Sequence, residues 1–221
     1  MTTEIELKYQ LSDKSEDNNT VVADITAMLK ANNTFFEMGQ NQLANDYFDN
    51  ENLDLRKMDF GLRIRSKAQQ YEQTIKTAGK VDSGLHQRPE YNVDIANGKL
   101  DLSLFPIKIW PENVNVAQLQ QSLQVIFSTN FYRQTWLIHQ GDNIIELALD
   151  QGEICTTIGK PTLVINEIEV ELVSGNKQAL FVLAKQLMAV VSMKPSDLSK
   201  AARGYSLYYS EINKFHSKDI L

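Results

Sequence analysis

The sequence lacks the features that mark secreted, membrane and nucleic-acid-binding proteins. A single cysteine, Cys155, excludes an internal disulfide and is typical of a reducing compartment. No apolar run reaches the length of a membrane span, and the first residues do not have the basic and then apolar character of a signal peptide. The net charge of −6 argues against a general nucleic-acid binder, which usually has a basic surface. We expect a soluble, cytoplasmic protein without nucleic-acid or membrane partners.

Linkers, internal repeats and low-complexity segments are also absent from the sequence. Its 221 residues are 43% hydrophobic, which is enough for a substantial core. We therefore expect one domain over residues 1–210, followed by a C-terminal tail at residues 211–221. The oligomeric state stays open.

Polar and apolar residues alternate along much of the chain, which predicts strands, and four segments have helical spacing. The predicted strands are residues 2–10, parts of 34–49, 61–65, 71–77, 88–95, 128–139, 143–150, 153–158 and 163–173. A turn is predicted at Gln151-Gly152. The predicted helices are residues 16–31, 113–126, 176–191, and a last helix that runs from the N-cap Ser196 to about Tyr209.

Charged side chains occupy one face of the first strand. Alternate residues of a strand point to opposite faces, so Glu4, Glu6 and Lys8 lie together and Ile5 and Leu7 lie on the other side. The same pattern returns late in the chain at Glu167, Glu169 and Glu171. Two acid-rich strands could together hold a hard metal ion, since such ions prefer oxygen ligands.

The other strands sort their charges in the same way. Gly61-Leu62-Arg63-Ile64-Arg65 places two arginines on one face. An antiparallel sheet with its charged face in water would explain the amphipathic strands, but it explains the sorting of like charges less well. Paired carboxylates indicate a metal, and paired arginines indicate a polyanion. Closing the sheet into a barrel would place this face inside, where water, ions or a ligand would have to satisfy it.

Several motifs in this order resemble the CYTH superfamily of triphosphate tunnel metalloenzymes, and most closely the CYTH domain of bacterial inorganic triphosphatases. The motifs are Glu4-x-Glu6-x-Lys8, Gly61 to Arg65, Lys76, Gly84 to Tyr91, Ala148 to Glu153, Glu167 to Glu171 and Leu198 to Tyr205. The resemblance implies an α+β fold, namely an eight-stranded antiparallel β-barrel tunnel with a charged interior and helices packed outside. Close relatives often continue into a helical CHAD domain, whereas only a short segment follows Tyr209 here. Whether the chain stands alone stays open.

The resemblance also implies roles for individual side chains. The metal candidates are Glu4, Glu6, Glu169 and Glu171, with Glu167 and Asp150 as further candidates that leave the register of the late pair open. The phosphate-binding candidates are Lys8, Arg63, Arg65, Lys76, Arg88, Arg133, Lys200 and Arg203. The catalytic set is Glu4, Glu6, Lys8, Glu169 and Glu171, and Glu90 and Glu146 have supporting roles. The implied cofactor is Mg²⁺ or Mn²⁺, with two ions per site.

The implied activity is metal-dependent hydrolysis of inorganic triphosphate to pyrophosphate and phosphate. One alternative is an enzyme for an organic triphosphate, either a thiamine triphosphatase or a class IV adenylyl cyclase, in which Trp110 or Trp136 could stack on a ring. Another is a non-catalytic polyphosphate-binding module. Cys155 and the histidines His86, His139 and His216 have no catalytic or metal-ligand spacing, and core or surface packing is the expected role of each tryptophan.

Overall fold

A computed structural model describes residues 2–12, 18–158 and 162–218. The strands are β1 (Thr2–Leu11), β2 (Phe35–Asp49), β3 (Gly61–Lys67), β4 (Gln70–Lys76), β5 (Lys80–Asp82), β6 (Leu85–Ile95), β7 (Gln124–Gln140), β8 (Asn143–Thr156), β9 (Thr162–Ser174) and β10 (Met193–Pro195). The helices are α1 (Asn18–Ala31), α2 (Asp54–Lys57), α3 (Val116–Ser122), α4 (Gln178–Leu187) and α5 (Lys200–Lys218). None of the helices in these ranges is long and apolar enough to cross a membrane.

Eight antiparallel strands close into a barrel. Their order is β1-β9-β8-β7-β2-β3-β4-β6, and β6 pairs again with β1. The first strand makes the closure because its beginning pairs with β6 and its later part pairs with β9. A barrel of eight strands has an interior just wide enough for side chains or one small ligand. The expected fold class is confirmed.

The apolar faces of the strands point outwards and are covered by helices. Leu7, Trp136 and Val170 pack with Ile25 of α1 and Leu183 of α4 in a fully buried cluster. A second cluster lies where α2, α3 and two short 3-10 turns cover β3, β4 and β6. Burying each such side chain contributes about 1.5–3 kcal/mol. Because these clusters hold the barrel from outside, its interior does not need an apolar core.

Helix α5 closes one end of the barrel. At that end the inward side chains are apolar, and Phe127 and Phe131 pack with Tyr205 and Tyr208 of the helix. Gly204 permits the close approach, since a Cβ atom there would lie 2.2 Å from the Phe127 ring. The first turn of α5 is thereby held against the interior of the barrel.

The turn predicted at Gln151-Gly152 is wrong. Strand β8 runs without a break through both residues and pairs with β7 and β9 on either side. A Cβ atom on Gly152 would lie 2.1 Å from the carbonyl oxygen of Asn130. The glycine therefore allows two strands to approach closely, which is a second common reason for glycine inside a strand.

Several predicted helix limits also differ from the structure. Of the helix expected at 113–126, only α3 is helical in the structure. Strand β7 already begins at Gln124, and its Ile126 is buried in the cluster under α5. The last helix begins at Lys200, where the Ser199 hydroxyl accepts the N–H of Ala202 at 3.1 Å, so Ser196 is not the N-cap. It continues past Tyr209 to Lys218. Residues 16 and 17 of the first predicted helix and residues 219–221 lie outside the described ranges.

Candidate active site

The interior of the barrel forms a charged cavity of about 300 Å³. Its lining contains seven acidic and seven basic side chains, so their formal charges cancel. The acids are Glu4, Glu6, Glu72, Glu90, Glu146, Glu169 and Glu171, and the bases are Lys8, Arg63, Arg65, Lys76, Arg88, Arg133 and Lys200. The structure thus brings together all of the predicted site residues except Asp150, Glu167 and Arg203.

Two buried carboxylates face each other at the acidic side of the cavity. Glu6 on β1 and Glu171 on β9 are directly opposite each other in the strand register. Burial raises the pKa of Glu6 to about 7, with Glu4 and Glu169 adding to the effect of burial and Lys8 opposing it. Burial, Glu4 and Glu6 raise the pKa of Glu171 to about 8. Within the described residues Glu171 forms no salt bridge, so this pair lacks a full complement of positive charge.

Lysines hold the neighbouring acids of this side. The Lys8 Nζ lies 2.8 Å from Glu6 Oε2 and 2.5 Å from Glu169 Oε1, and the Lys76 Nζ lies 2.5 Å from Glu4 Oε1. Burial would raise the pKa of Glu4, but Lys76 and Lys8 outweigh it and lower that pKa below its usual value. The carboxylates outweigh burial in the same way for Lys8, whose pKa is well above its ordinary value.

A second acidic group is already neutralised by side chains. Oxygen atoms of Asp150, Glu167 and Glu169 lie within 4.8 Å of one another, a spacing that could suit a metal ion. The Lys200 Nζ occupies this place, at 2.6 Å from Asp150 Oδ2 and 3.0 Å from Glu169 Oε1 and in contact with Glu167. We therefore favour Glu169 and Glu171, which line the cavity, over Glu167 as the late metal pair.

Guanidinium groups reinforce the same cluster. Arg133 donates two hydrogen bonds to Asp150, from Nε at 2.7 Å and from Nη2 at 2.6 Å, and its Nη2 also lies 2.6 Å from Glu169 Oε2. Arg203 pairs with Glu167 and donates to the carbonyl of Val164 at 3.3 Å. Arg203 therefore fastens α5 to β9, and its side chain is not part of the cavity lining.

Two arginines of β3 supply positive charge to the cavity. That of Arg65 is only weakly compensated, whereas Tyr47 and Glu90 outweigh burial and raise the pKa of Arg63. Burial, Arg63 and Arg133 lower the pKa of Arg65 to about 10. Its Nε donates to Asn45 Oδ1 at 2.8 Å, and among the described residues it forms no salt bridge. Arg63 approaches Glu90 only to 3.6 Å, and its buried Nε has no hydrogen-bond partner. Guanidinium donors in this state suit phosphate oxygens, which they bind in a bidentate manner.

Arg88 lies at the rim of the cavity and is partly engaged there. Its Nε donates to the Thr77 carbonyl at 3.0 Å and its Nη2 to the Asp59 carbonyl at 2.9 Å. These bonds orient the guanidinium group, and 19% of the side chain stays exposed. Arg88 is placed to meet a ligand as it arrives.

The lining also contains residues that the sequence analysis did not select. Tyr47, Glu72, Thr74, His86, Asn92 and Phe131 are among them. Strand alternation carried the signal, since Glu72 and Thr74 share a face with Lys76 and His86 shares a face with Arg88. The His86 Nε2 lies 3.1 Å from the Ser196 carbonyl, and burial and Lys8 lower the pKa of the ring. Its neutral Nε2–H can therefore donate to the segment that precedes α5.

The tryptophans have the core roles that were expected. Trp136 is fully buried under α1, where its Nε1 donates to Thr26 Oγ1 at 3.1 Å. Trp110 packs against Phe60 with ring centroids 6.0 Å apart. Neither ring lines the cavity, so neither can stack on a group bound there.

Comparison with known proteins places this geometry in a family. The sequence is 38% identical over 212 residues to an inorganic triphosphatase of Haemophilus influenzae, covering 94% of this chain and 55% of that protein. The chain thus spans little more than half the length of the curated relative it matches. Among solved structures, a Hippeastrum protein described as an adenylyl cyclase candidate with a dominant triphosphatase activity superposes with a TM-score of 0.62, at 19% identity over 92% of this chain and 95% of that chain. The PH1819 protein of Pyrococcus horikoshii superposes with a TM-score of 0.54, at 19% identity over 96% and 99%. These two likenesses show the fold. The CYTH domain family matches residues 2–205, and the chain belongs to that family.

Proposed function

We propose that the protein is a metal-dependent inorganic triphosphatase, which hydrolyses triphosphate to pyrophosphate and phosphate inside the barrel. The observation that carries the proposal is the separation of charge in one cavity. Glu6 and Glu171 face each other without enough positive charge, while Arg65 forms no salt bridge within the described residues. The likeness to the Haemophilus inorganic triphosphatase supports the same activity.

The balance of charge in the lining supports binding of cation and polyanion together. With equal numbers of acids and bases, the cavity does not favour a bare polyanion, because burying its charge would leave a net negative interior. A polyanion that arrives with divalent cations keeps the interior close to neutral. On binding, the lysines and arginines would leave their salt bridges and contact phosphate oxygens, and the carboxylates would contact the metal ions.

The acidic side of the cavity fits a divalent ion. We assign Glu4, Glu6, Glu169 and Glu171 to Mg²⁺ or Mn²⁺, with two ions per site, because all four line the cavity and carboxylate oxygens are the ligands that such ions prefer. The raised pKa values of Glu6 and Glu171 support a cation beside these two, whereas Glu4 and Glu169 would exchange their lysine contacts for the metal. When bound, such an ion would neutralise phosphate oxygens and lower the pKa of a coordinated water. Asp150 and Glu167 act on the cations instead, by orienting Arg133, Lys200 and Arg203.

The side chains of the protein do the positioning that phosphoryl transfer requires. We assign the phosphates to Arg63, Arg65, Arg133, Lys8, Lys76, Lys200 and the rim residue Arg88. Glu90 and Glu146 orient Arg63 and Arg133, which they approach to 3.6 Å and 3.5 Å. The apolar cluster under α5 excludes water from one end of the barrel. Removing one bidentate arginine should cost about 2–4 kcal/mol of transition-state stabilisation.

The test measures phosphate release from triphosphate, ATP and thiamine triphosphate in parallel, with Mg²⁺, Mn²⁺ or EDTA, and cyclic AMP formation in the same samples. We expect triphosphate to be the preferred substrate and EDTA to abolish its hydrolysis. Glu6→Gln and Arg65→Ala should each lower kcat/KM by about thirtyfold or more, while the exposed controls Glu112→Gln and Lys108→Ala should not.

The same samples decide between this function and its alternatives. Preference for thiamine triphosphate or formation of cyclic AMP would assign the cavity to an organic triphosphate. Binding without turnover under every metal would assign it to a polyphosphate-binding module. Full activity of both Glu6→Gln and Arg65→Ala would overturn the site.

The remaining expectations join this proposal. We propose a single CYTH domain over residues 1–210 with a C-terminal tail at 211–221, the described part of which continues helix α5, and the family match to residues 2–205 supports this view. We also propose a cytoplasmic location, supported by the single unpaired cysteine, and a small-molecule triphosphate as partner without nucleic acid, supported by the acidic net charge.

A further inference from the structure

The interior of the barrel has two sides that differ in charge. On one side Lys76 and Arg88 keep 20% and 19% of their side chains exposed. On the other side a second cavity of about 540 Å³ adjoins the first, and Arg65, Arg133, Glu72 and Glu146 line both of them. Four acids line this second cavity, and we name them the acidic collar: Glu37, Glu72, Asp94 and Glu146.

The collar holds negative charge that nearby cations compensate poorly. Glu72 on β4 and Asp94 on β6 are directly opposite each other in the register, a placement in which like charges repel. Within the described residues neither forms a salt bridge. Arg133 is engaged by Asp150 and Glu169 and approaches Glu146 only to 3.5 Å, and Lys67 is exposed.

The collar borders Arg65 across the sheet. Arg65 on β3 is directly opposite Glu72, which in turn is opposite Asp94. Adjacent strands are about 4.8 Å apart, so the two carboxylates lie one and two strands from Arg65. A phosphate beyond the one bound by Arg65 on this side would stand within about 10 Å of both carboxylates, which is about one Debye length at 0.1 M salt, so repulsion reaches it and added salt weakens that repulsion.

We propose that the acidic collar sets the length of the polyphosphate that the tunnel accepts. A chain whose charge ends at the arginines is bound, and a chain that extends past Arg65 is repelled by Glu72 and Asp94. The collar acts by repulsion and holds no ligand of its own. This inference rests on the proposed function, because it specifies short linear inorganic polyphosphates as the substrate class of the same cavity.

The experiment compares kcat/KM for linear triphosphate and linear tetraphosphate at saturating Mg²⁺. The variant is Glu72→Gln/Asp94→Asn, and the matched control is Glu112→Gln/Asp142→Asn, which removes two exposed charges that are not among the residues lining either cavity. We expect the wild type and the control to prefer triphosphate. In the collar variant, the ratio of kcat/KM for triphosphate to kcat/KM for tetraphosphate should fall about tenfold. Added salt should weaken the wild-type preference and leave that of the collar variant nearly constant.

The outcomes separate this inference from the proposed function. Absence of phosphate release from triphosphate by the wild type would sink the proposed function itself. Triphosphate hydrolysis with equal use of tetraphosphate, or with a preference that the collar variant keeps, would overturn the collar alone. A higher Mg²⁺ requirement in the variant without a change of preference would assign the collar to metal capture and also overturn it. Thermal unfolding checks the fold of the double variant, and Glu72→Gln alone serves if the double variant is unstable.

Discussion

Glu6 and Glu171 are directly opposite each other on adjacent strands of the barrel, and both are short of positive charge. The two strands come from opposite ends of the sequence, so barrel closure alone brings the carboxylates together. Nearby, Lys200 forms salt bridges with Asp150, Glu167 and Glu169 and balances part of their negative charge. The barrel therefore contains one acidic group that is satisfied by the protein and another that is left for a cation.

The first prediction concerns pH. The pKa of Glu171 rises from 4.5 to about 8 on folding, so its contribution to stability is fully present below about pH 4.5 and is lost as the pH rises towards 8. Glu6, with a folded pKa of about 7, acts in the same direction. Glu171→Gln should therefore gain stability over the metal-free wild type as the pH rises from 5 to 8.5, by about 1–3 kcal/mol at the upper end.

Urea unfolding in EDTA at a series of pH values measures this difference. Glu112→Gln is the control and should follow the wild type. Acids whose pKa is lowered, such as Glu4 and Glu169, lose their stabilising effect only as the pH falls below about 4.5, so they leave this window unaffected. A free-energy difference between wild type and Glu171→Gln that stays constant from pH 5 to 8.5 would contradict the raised pKa.

The second prediction concerns Lys200. Its Nζ contacts three buried carboxylates, so Lys200→Ala leaves them with less positive charge in the interior. Breaking a buried pair in this way costs about 3–5 kcal/mol. We expect a loss of about 3 kcal/mol by urea unfolding in EDTA, with part of it restored by millimolar Mg²⁺, since the vacated place suits a cation. A loss below about 1 kcal/mol would show that Lys200 is not required to balance these acids.

The third prediction concerns the attachment of α5. The Tyr205 hydroxyl donates to Asp49 at 2.8 Å, and Asp49 also accepts the N–H groups of Leu55 and Arg56 at the start of α2. Tyr205→Phe should destabilise the protein by about 1 kcal/mol, because one buried hydrogen bond to a carboxylate is lost. Hydrogen exchange should rise in α5 and α2 and stay unchanged in β3 and β4. The exposed Tyr209→Phe is the matched control, and equal effects of the two variants would argue against this attachment.

The fourth prediction concerns the close approach of β7 and β8 at Gly152. Gly152→Ala would place a methyl group 2.1 Å from the Asn130 carbonyl, so β8 and β7 must separate locally. We expect a loss of about 1–3 kcal/mol by urea unfolding, in the range of overpacked sites. Gly141→Ala tests the opposite case, because nothing lies within 4 Å of a Cβ atom there and only its positive φ is strained. A smaller loss at Gly152 than at Gly141 would contradict the close approach.

Strand alternation in the sequence predicts the charged face of the barrel well. It places Glu4, Glu6 and Lys8 on one side of β1 and Arg63 and Arg65 on one side of β3, and the structure shows all five in the cavity lining. Alternation repeats over two residues and depends only on which side is buried, so a local pattern suffices. The same rule places Glu72 and Thr74 on the face of β4 that carries Lys76.

Other features depend on contacts that a local pattern does not contain. Closure joins β1 to β6 across some eighty residues of sequence, and the late metal pair depends on where Lys200 comes to lie. The sequence predicts a turn at Gly152 because it shows the glycine but not the carbonyl of Asn130, which lies beside it in the structure. The N-cap predicted at Ser196 is wrong because the sequence does not show that residues 193–195 pair with β1, which delays the start of the helix to Lys200.

The most direct test of the account is a titration of the metal-free protein with Mn²⁺, in which electron paramagnetic resonance measures the unbound ion. The titration is done with and without a non-hydrolysable triphosphate analogue. We expect the analogue to tighten Mn²⁺ binding in the wild type by at least tenfold, and we expect this coupling to be lost in Glu171→Gln and retained in Glu112→Gln. Equal Mn²⁺ binding by the wild type and Glu171→Gln, with or without the analogue, would contradict the claim that the cavity takes cation and polyanion together.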